Sequence, residues 1–339
     1  MANKNNKGYN MSNQYNEFLS KDKTDVIRGI AIISIILYHL TISGISNLLL
    51  FPFQFMQFCG VATFFLLSGY ALMEQYQSRK NYLNGFLLKK LSRIYFSYIL
   101  MFTPYLIYEL CINSKINWIE ELLGILTFSF EGHRLWYLCA QVIFYIAFYL
   151  IFRINKIDNK MKVFLTFIFI GLYTVLCVLL KFDKTWYFNA FYFPIGLLVS
   201  YNKRIVFDFL NKFKVLIAIL SVFLLLSIYF VLFKFGYNFG NLNLYIPLQI
   251  VYVFCVVIFL IVLSFFVNKK LKLLALVGTY SMELYISHSI IVMGVYDFKL
   301  KSPVEIVVYF VAPIIFSIVI KFIVQKVFKN KKVRGKTKC

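Results

Sequence analysis

Charged residues are scarce in this chain, and acidic residues are the scarcest. Of 339 residues only 15% are charged, and Asp and Glu number 14 against 36 Lys and Arg. A soluble domain carries roughly a quarter charged residues, so this shortage excludes an ordinary soluble fold. The net charge of +22 does not indicate nucleic-acid binding, because the basic residues occupy short loops and the two tails and no separate soluble domain holds them.

Metal ligands and disulfide partners are also few. The chain has three histidines and six cysteines, and the cysteines lie singly, with no CxxC or Cys/His ligand spacing. We therefore expect no metal site and no disulfide framework, and we interpret the cysteines as small apolar packing residues. Residues 1–24 lack the apolar core and small-residue cleavage site of a secretory signal, so we expect no cleavage there.

Long apolar runs, in contrast, are abundant. Hydrophobic residues make up 61% of the chain, and apolar runs of membrane-spanning length recur throughout. We expect an all-α, polytopic transmembrane bundle at 25–327, between a polar tail at 1–24 and a basic tail at 328–339. Its ten spans are predicted at about 26–48, 53–74, 92–112, 134–153, 161–181, 186–200, 214–235, 244–267, 273–295 and 304–327. The acidic stretch 115–131 is too short to span and is predicted to be an interfacial or re-entrant helix.

The distribution of basic residues sets the orientation. With the N-terminus inside, the inner loops and their flanks hold sixteen Lys and Arg and the outer loops hold seven. Inner loops of membrane proteins carry the excess of positive charge, so both termini are predicted to be cytoplasmic.

Two polar side chains interrupt the first span, DVIRGIAIISIILYHL. Arg28 and His39 are eleven residues apart, which places them on one helix face, about 16 Å apart along the axis. Ionisable groups inside a bilayer are costly and therefore indicate function, and histidine can accept a proton near neutral pH. The alternatives are a topological anchor for Arg28 and a buried histidine bonded to a neighbouring carbonyl for His39.

A second polar set lies in GTYSMELYISHSIIV, residues 278–292. In the predicted ninth span, His288 lies as deep as His39, and Glu283 is one of very few carboxylates inside a span. This combination suits proton transfer. The alternative is a satisfied polar network that holds the first and ninth spans together.

Two further stretches stand near the cytoplasmic face. Lys90 and Arg93 belong to a basic cluster before the third span, which indicates either topology or a seat for a phosphate-bearing cosubstrate. In FFLLSGY, Ser68 and Gly69 are predicted to serve close helix packing, because their flanks do not form the turn of a nucleophilic serine.

Taken in chain order, these stretches resemble the bacterial membrane acyltransferase family 3, which includes sugar and peptidoglycan O-acetyltransferases. The matching elements are Arg28 and His39 with ten residues between them, FFLLSGY (64–70), KKLSRI (89–94), LWYL (135–138) and YSMELYISH (280–288). The resemblance covers roughly residues 25–325.

The resemblance implies transfer of an acyl group, commonly acetyl, from cytosolic acyl-CoA to a carbohydrate hydroxyl in the bacterial plasma membrane. Acyl-CoA would be a cosubstrate, with no tightly bound cofactor and no metal. The acceptor would be a surface glycan or its lipid-linked precursor. Arg28 and His39 correspond to the paired arginine and essential histidine of that family. Its frequent Arg-x-x-Arg pair is Lys90 and Arg93 here, so the charge is kept but a bidentate contact to phosphate at position 90 is not.

We interpret the six residues as a donor-binding set, Arg28, Lys90 and Arg93, and a catalytic set, His39, His288 and Glu283. The alternative from another class is a proton-coupled transporter or polysaccharide export factor that uses the same polar residues as a relay. The chain shows no repeated halves and no paired Pro/Gly-broken helices, which disfavours that alternative.

Overall fold

A computed structural model of the protein describes residues 15, 17–42, 56–112, 118–130, 133–235, 245–267, 271–298 and 303–334. The helices are α1 (Lys21–Ile42), α2 (Gln57–Ser78), α3 (Phe86–Ile112), α4 (Trp118–Thr127), α5 (Trp136–Phe152), α6 (Asn159–Leu179), α7 (Tyr192–Tyr201), α8 (Lys203–Phe235), α9 (Tyr245–Leu263), α10 (Lys272–Thr279), α11 (Ser281–Phe298) and α12 (Pro303–Arg334). Two strands of two residues each, β1 (Ser129–Phe130) and β2 (His133–Arg134), pair between α4 and α5.

The predicted all-helical class is confirmed, and each predicted span overlaps at least one helix in the part of the chain that the structure describes. Among the described residues, four helical segments are long and apolar enough to cross a membrane, at 159–179, 203–231, 246–263 and 310–328. The count of ten spans and the cytoplasmic termini stay predictions. Residues 43–55, within the first two predicted spans and the loop between them, lie outside the described residues.

The helix bounds differ from the predicted spans at several ends; α3 and α8, for example, begin at Phe86 and Lys203, before the predicted starts at 92 and 214. The predicted ninth span is two helices, α10 and α11, which meet at Tyr280. The sixth begins as a 3₁₀ turn at Lys184–Trp186, and its α-helix starts only at Tyr192. The last helix continues to Arg334, beyond the predicted end of the transmembrane domain.

The chain divides into two compact units. Unit 1 comprises Met1–Lys80 and Ile157–Thr279, and unit 2 comprises Asn81–Lys156 and Tyr280–Cys339. Unit 1 therefore contains α1, α2 and α6 to α10. Unit 2 contains α3, α4, the β1–β2 pair, α5, α11 and α12.

Glycines set the two closest helix crossings of unit 1. A Cβ on Gly29 of α1 would collide with the backbone of α10, and a Cβ on Gly278 of α10 would collide with the backbone of α1. Gly69 of α2 and Gly196 of α7 exclude a Cβ in the same reciprocal way. Small residues let helix backbones approach and gain van der Waals contact, which is a main source of helix association in lipid. The packing role predicted for Gly69 is therefore observed.

The segment before α1 is anchored to unit 1. Phe18 is buried and its carbonyl accepts a hydrogen bond from the Tyr70 hydroxyl at 3.1 Å. Tyr15 donates to the carboxylate of Asp208 on α8 at 3.0 Å. These contacts attach residues of the predicted polar tail to the helices, so the packed unit extends on the N-terminal side of the predicted first span.

In unit 2, α4 folds back along α3 on a ladder of tyrosines. Tyr105, Tyr98 and Tyr95 of α3 donate, in that order, to Glu121, to the Gly124 carbonyl at 3.3 Å and to the Leu126 carbonyl at 3.1 Å. The order shows that α4 runs antiparallel to α3. Helix α11 packs on α12 and α3, and α3 also packs on α5.

Candidate active site

Arg28 lies on the first turns of α1, where it forms an ion pair with a neighbour that the sequence interpretation did not include. Its Nη1 lies 3.1 Å from Oδ1 of Asp25, one turn earlier on the same helix. The Asp25 side chain is only 7% exposed and the Arg28 side chain 29%. Asp25 therefore holds one nitrogen of the guanidinium, and the planar Arg28 side chain has further N–H donors beyond this contact.

His39 lies eleven residues further along the same unbroken helix. A continuous α-helix places the two residues on one face, as predicted. The His39 ring is half-buried and contacts the ring of Tyr38 edge-on at a centroid distance of 5.3 Å. The Arg28 guanidinium and the His39 imidazole thus lie on one face of α1, three turns apart.

Lys90 and Arg93 lie one turn apart on α3 in unit 2. The Lys90 ammonium is half-buried, over the rings of Phe86 and Tyr145 at 6.0 and 5.7 Å, while Arg93 is exposed. Cation–π contact holds the Lys90 charge against the protein surface. The Arg93 charge also acts electrostatically on Glu283.

Glu283 is buried in unit 2 beside a lysine that the sequence interpretation did not include. The Glu283 Oε2 lies 4.0 Å from Nζ of Lys321 on α12, and both side chains are at most 10% exposed. The Lys321 ammonium also lies 4.3 Å from the centroid of the Tyr280 ring, at the junction of α10 and α11. Oε1 of Glu283 is buried and receives no hydrogen bond within the described part of the chain.

His288 is fully buried in α11, one turn and a half after Glu283. Its Nδ1 lies 3.0 Å from the Leu284 carbonyl oxygen. Because a carbonyl only accepts, Nδ1 carries the proton of the neutral ring, and Nε2 holds the lone pair that can accept another. The Tyr285 ring lies 5.5 Å from the imidazole.

The six predicted site residues thus fall into two groups. Arg28 and His39 share one helix of unit 1, and Glu283, His288, Lys90 and Arg93 belong to unit 2. Their assignment to acyl transfer stays a prediction.

Two charged partners of the predicted site residues, Asp25 and Lys321, were not predicted from the sequence. Asp25 could have been found, because an acidic residue three positions before Arg28 is one helical turn away. Lys321 gave a weaker signal: it is a lysine inside the last apolar run, but its partner is remote in sequence.

The family comparison defines the class of the protein, an acyltransferase of a membrane-integral family. Residues 22–322 match the family model of acyltransferase family 3, described as an acyltransferase domain. Because that match covers most of the chain, the protein belongs to this family and is a membrane-integral acyltransferase. No curated protein and no solved structure matched.

Proposed function

We propose that the protein transfers an acyl group, most simply acetyl, from acyl-CoA to a hydroxyl of a cell-surface carbohydrate or its lipid-linked precursor in the bacterial plasma membrane. The observation that carries the proposal is the single stripe of Arg28 and His39 on α1 in a chain of the acyltransferase family. One end of that stripe offers a cation for phosphate, and the other offers a base for a hydroxyl proton.

Arg28 would bind the donor through its phosphates, and Lys90 and Arg93 are proposed as donor-binding residues of unit 2. Arg28 suits this role because Asp25 fixes the guanidinium through one nitrogen, while its planar fork leaves other donors for a bidentate phosphate contact. Lys90 contributes a positive charge without that planar geometry. Arg93 is exposed and can meet a ligand that arrives from water.

The transfer would proceed by direct attack of the acceptor on the thioester. His39 takes the proton of the acceptor hydroxyl as the oxygen bonds to the carbonyl carbon, and the carbon–sulfur bond then breaks. The coenzyme leaves as the thiolate and takes the proton from the His39 imidazolium, so the enzyme returns to its starting state. No redox step occurs, and the reaction uses no tightly bound cofactor or metal.

His288 and Glu283 would support proton movement during this reaction. The Nδ1 contact to Leu284 fixes the tautomer of His288, which leaves Nε2 as the atom that can orient a hydroxyl or receive a proton. Glu283 would place negative charge beside such a proton, with Lys321 balancing that charge when the site is empty.

The test is acetyl transfer in isolated membranes. Membranes from cells that carry the gene, supplied with radiolabelled acetyl-CoA, should accumulate alkali-labile acetyl ester on glycan, and membranes without it should not. The purified protein should bind acetyl-CoA. Absence of both binding and ester would contradict the proposal and favour a transporter that uses the same polar residues as a proton relay.

A further inference from the structure

The backbone between α4 and α5 is not helical, although it lies far along the length of α3. Phe128, at the end of α4, packs its ring on Tyr95 and Tyr98 at 4.4 and 5.2 Å. Tyr98 lies about 21 Å along α3 from its end at Ile112. Phe128 is therefore well below the end of α3 that is predicted to face outward.

The β1–β2 pair comes directly after Phe128 in the chain and begins at the same depth. The Leu135 amide donates to the Phe128 carbonyl at 2.8 Å, and the Cys139 thiol donates to the Thr127 carbonyl at 2.9 Å. These bonds fix the start of α5 beside the end of α4. Irregular backbone at membrane depth is tolerated only where protein covers it or where it lines a polar cavity. Of the two sequence alternatives for 115–131, this geometry favours the re-entrant one.

A buried amide stands beside this junction. Gln141 of α5 is 3% exposed. Its Oε1 accepts from the Tyr137 hydroxyl at 3.1 Å, but its Nε2 has no hydrogen-bond acceptor in the described part of the chain. A buried amide that lacks a partner costs about 1–3 kcal/mol, so such a group indicates a partner outside the described protein atoms, either a water or a ligand.

Its surroundings place this amide near the catalytic set of unit 2. The Tyr137 ring contacts Tyr285 edge-on at 5.1 Å, and Tyr285 in turn contacts His288. Nε2 of an amide only donates, so its missing partner is an acceptor atom. A phosphate would call for cationic neighbours, and Tyr137, Gln141 and Tyr285 carry none. A neutral hydroxyl oxygen flanked by aromatic rings matches the chemistry of a carbohydrate.

We infer that Gln141, oriented by Tyr137, binds a hydroxyl of the carbohydrate acceptor beside the re-entrant segment of unit 2. This inference rests on the proposed function, and it adds where the acceptor is held. Gln141 is then an acceptor-binding residue and Tyr137 its positioning residue.

Acetyl transfer in membranes tests the inference with a matched pair of variants. Gln141→Leu keeps the side-chain size and removes the amide. Gln249→Leu is the control, since Gln249 in unit 1 is also buried and its Oε1 also has no partner in the described residues. We expect Gln141→Leu to lower the initial rate of acetyl transfer about tenfold, the loss of one hydrogen bond. Its Kd for acetyl-CoA should stay within about twofold of wild type, and Gln249→Leu should change neither quantity.

Tyr137→Phe provides an independent test if Gln141→Leu fails to insert. Loss of the hydroxyl frees the amide to rotate, and we expect a loss of about threefold in transfer rate with unchanged acetyl-CoA binding. A wild-type transfer rate in both variants would overturn the inference and leave Gln141 as a water-binding or packing residue. A matching loss of acetyl-CoA binding would also overturn it. If wild-type protein neither binds acetyl-CoA nor transfers acetyl, the proposed function itself fails.

Discussion

Replacing Lys321 by methionine should destabilise the protein far more than an ordinary lysine substitution. The Lys321 ammonium and the Glu283 carboxylate are 4.0 Å apart, with side chains 10% and 2% exposed. At that separation, with an effective dielectric constant of about 20, their attraction is roughly 4 kcal/mol. Removing one partner of a buried pair leaves an uncompensated charge, which costs about 3–5 kcal/mol.

We expect Lys321→Met to lower the free energy of unfolding by about 3 kcal/mol, near the lower limit because the 4.0 Å separation is too long for a hydrogen bond. Unfolding would be followed by tryptophan and tyrosine fluorescence as sodium dodecyl sulfate is titrated into detergent micelles. Lys326→Met is the control, since Lys326 is an exposed lysine on the same helix. Its effect should stay within about 0.5 kcal/mol.

The double variant Glu283→Gln with Lys321→Met separates pairing from packing. If the two charges compensate each other, removing both should restore most of the stability lost in Lys321→Met, with a coupling free energy of about 2 kcal/mol or more. Additive losses, or a Lys321→Met effect as small as that of Lys326→Met, would show that Glu283 is not held as a charged partner of Lys321.

Three other outcomes follow from the structure. Gly69→Leu should destabilise the protein by about 3 kcal/mol or more, because its Cβ would meet the backbone of α7. Gly171→Leu is the control and should be tolerated, because no atom lies within 4 Å of a Cβ at that position. Thermal unfolding in detergent compares the two variants. Arg28→Lys should weaken acetyl-CoA binding about tenfold, since an ammonium cannot make a bidentate phosphate contact; unchanged binding with inverted insertion would make Arg28 a topological anchor. Single cysteines at Asn117 and Asn330, in a background without native cysteines, should label oppositely with an impermeant reagent, and like labelling would contradict the ten-span topology.

The apolar runs were sufficient to predict the helices, because membrane helices satisfy their backbone hydrogen bonds internally and need only length and apolarity. The break at Tyr280 was not predictable in this way. No proline marks it, and the predicted span continues through it, from 273 to 295. The contacts at that junction, Lys321 over the Tyr280 ring and the Gly278 crossing on α1, are made by residues far apart in sequence.

The candidate site was predictable only where its residues lie on one helix. The spacing of Arg28 and His39 is local to one helix, so helical geometry alone placed them on one face. The pairing of Glu283 with Lys321, and the burial of Gln141 beside Tyr285, depend on which helices become neighbours. That choice is set by side-chain packing between distant segments, which the spacing of residues within one segment does not encode.

The most direct test of the account is acetyl transfer by a His39→Ala variant. If His39 is the general base, the initial rate of transfer from radiolabelled acetyl-CoA to glycan in membranes should fall about 10²–10⁴-fold, with acetyl-CoA binding retained. In the wild type, the rate should decrease as the pH is lowered and the imidazole becomes protonated, because only the neutral ring accepts a proton. His288→Ala should lose less, as expected for an orienting residue. Near-normal turnover in His39→Gln, which keeps hydrogen bonding but cannot act as the base, would contradict the mechanism.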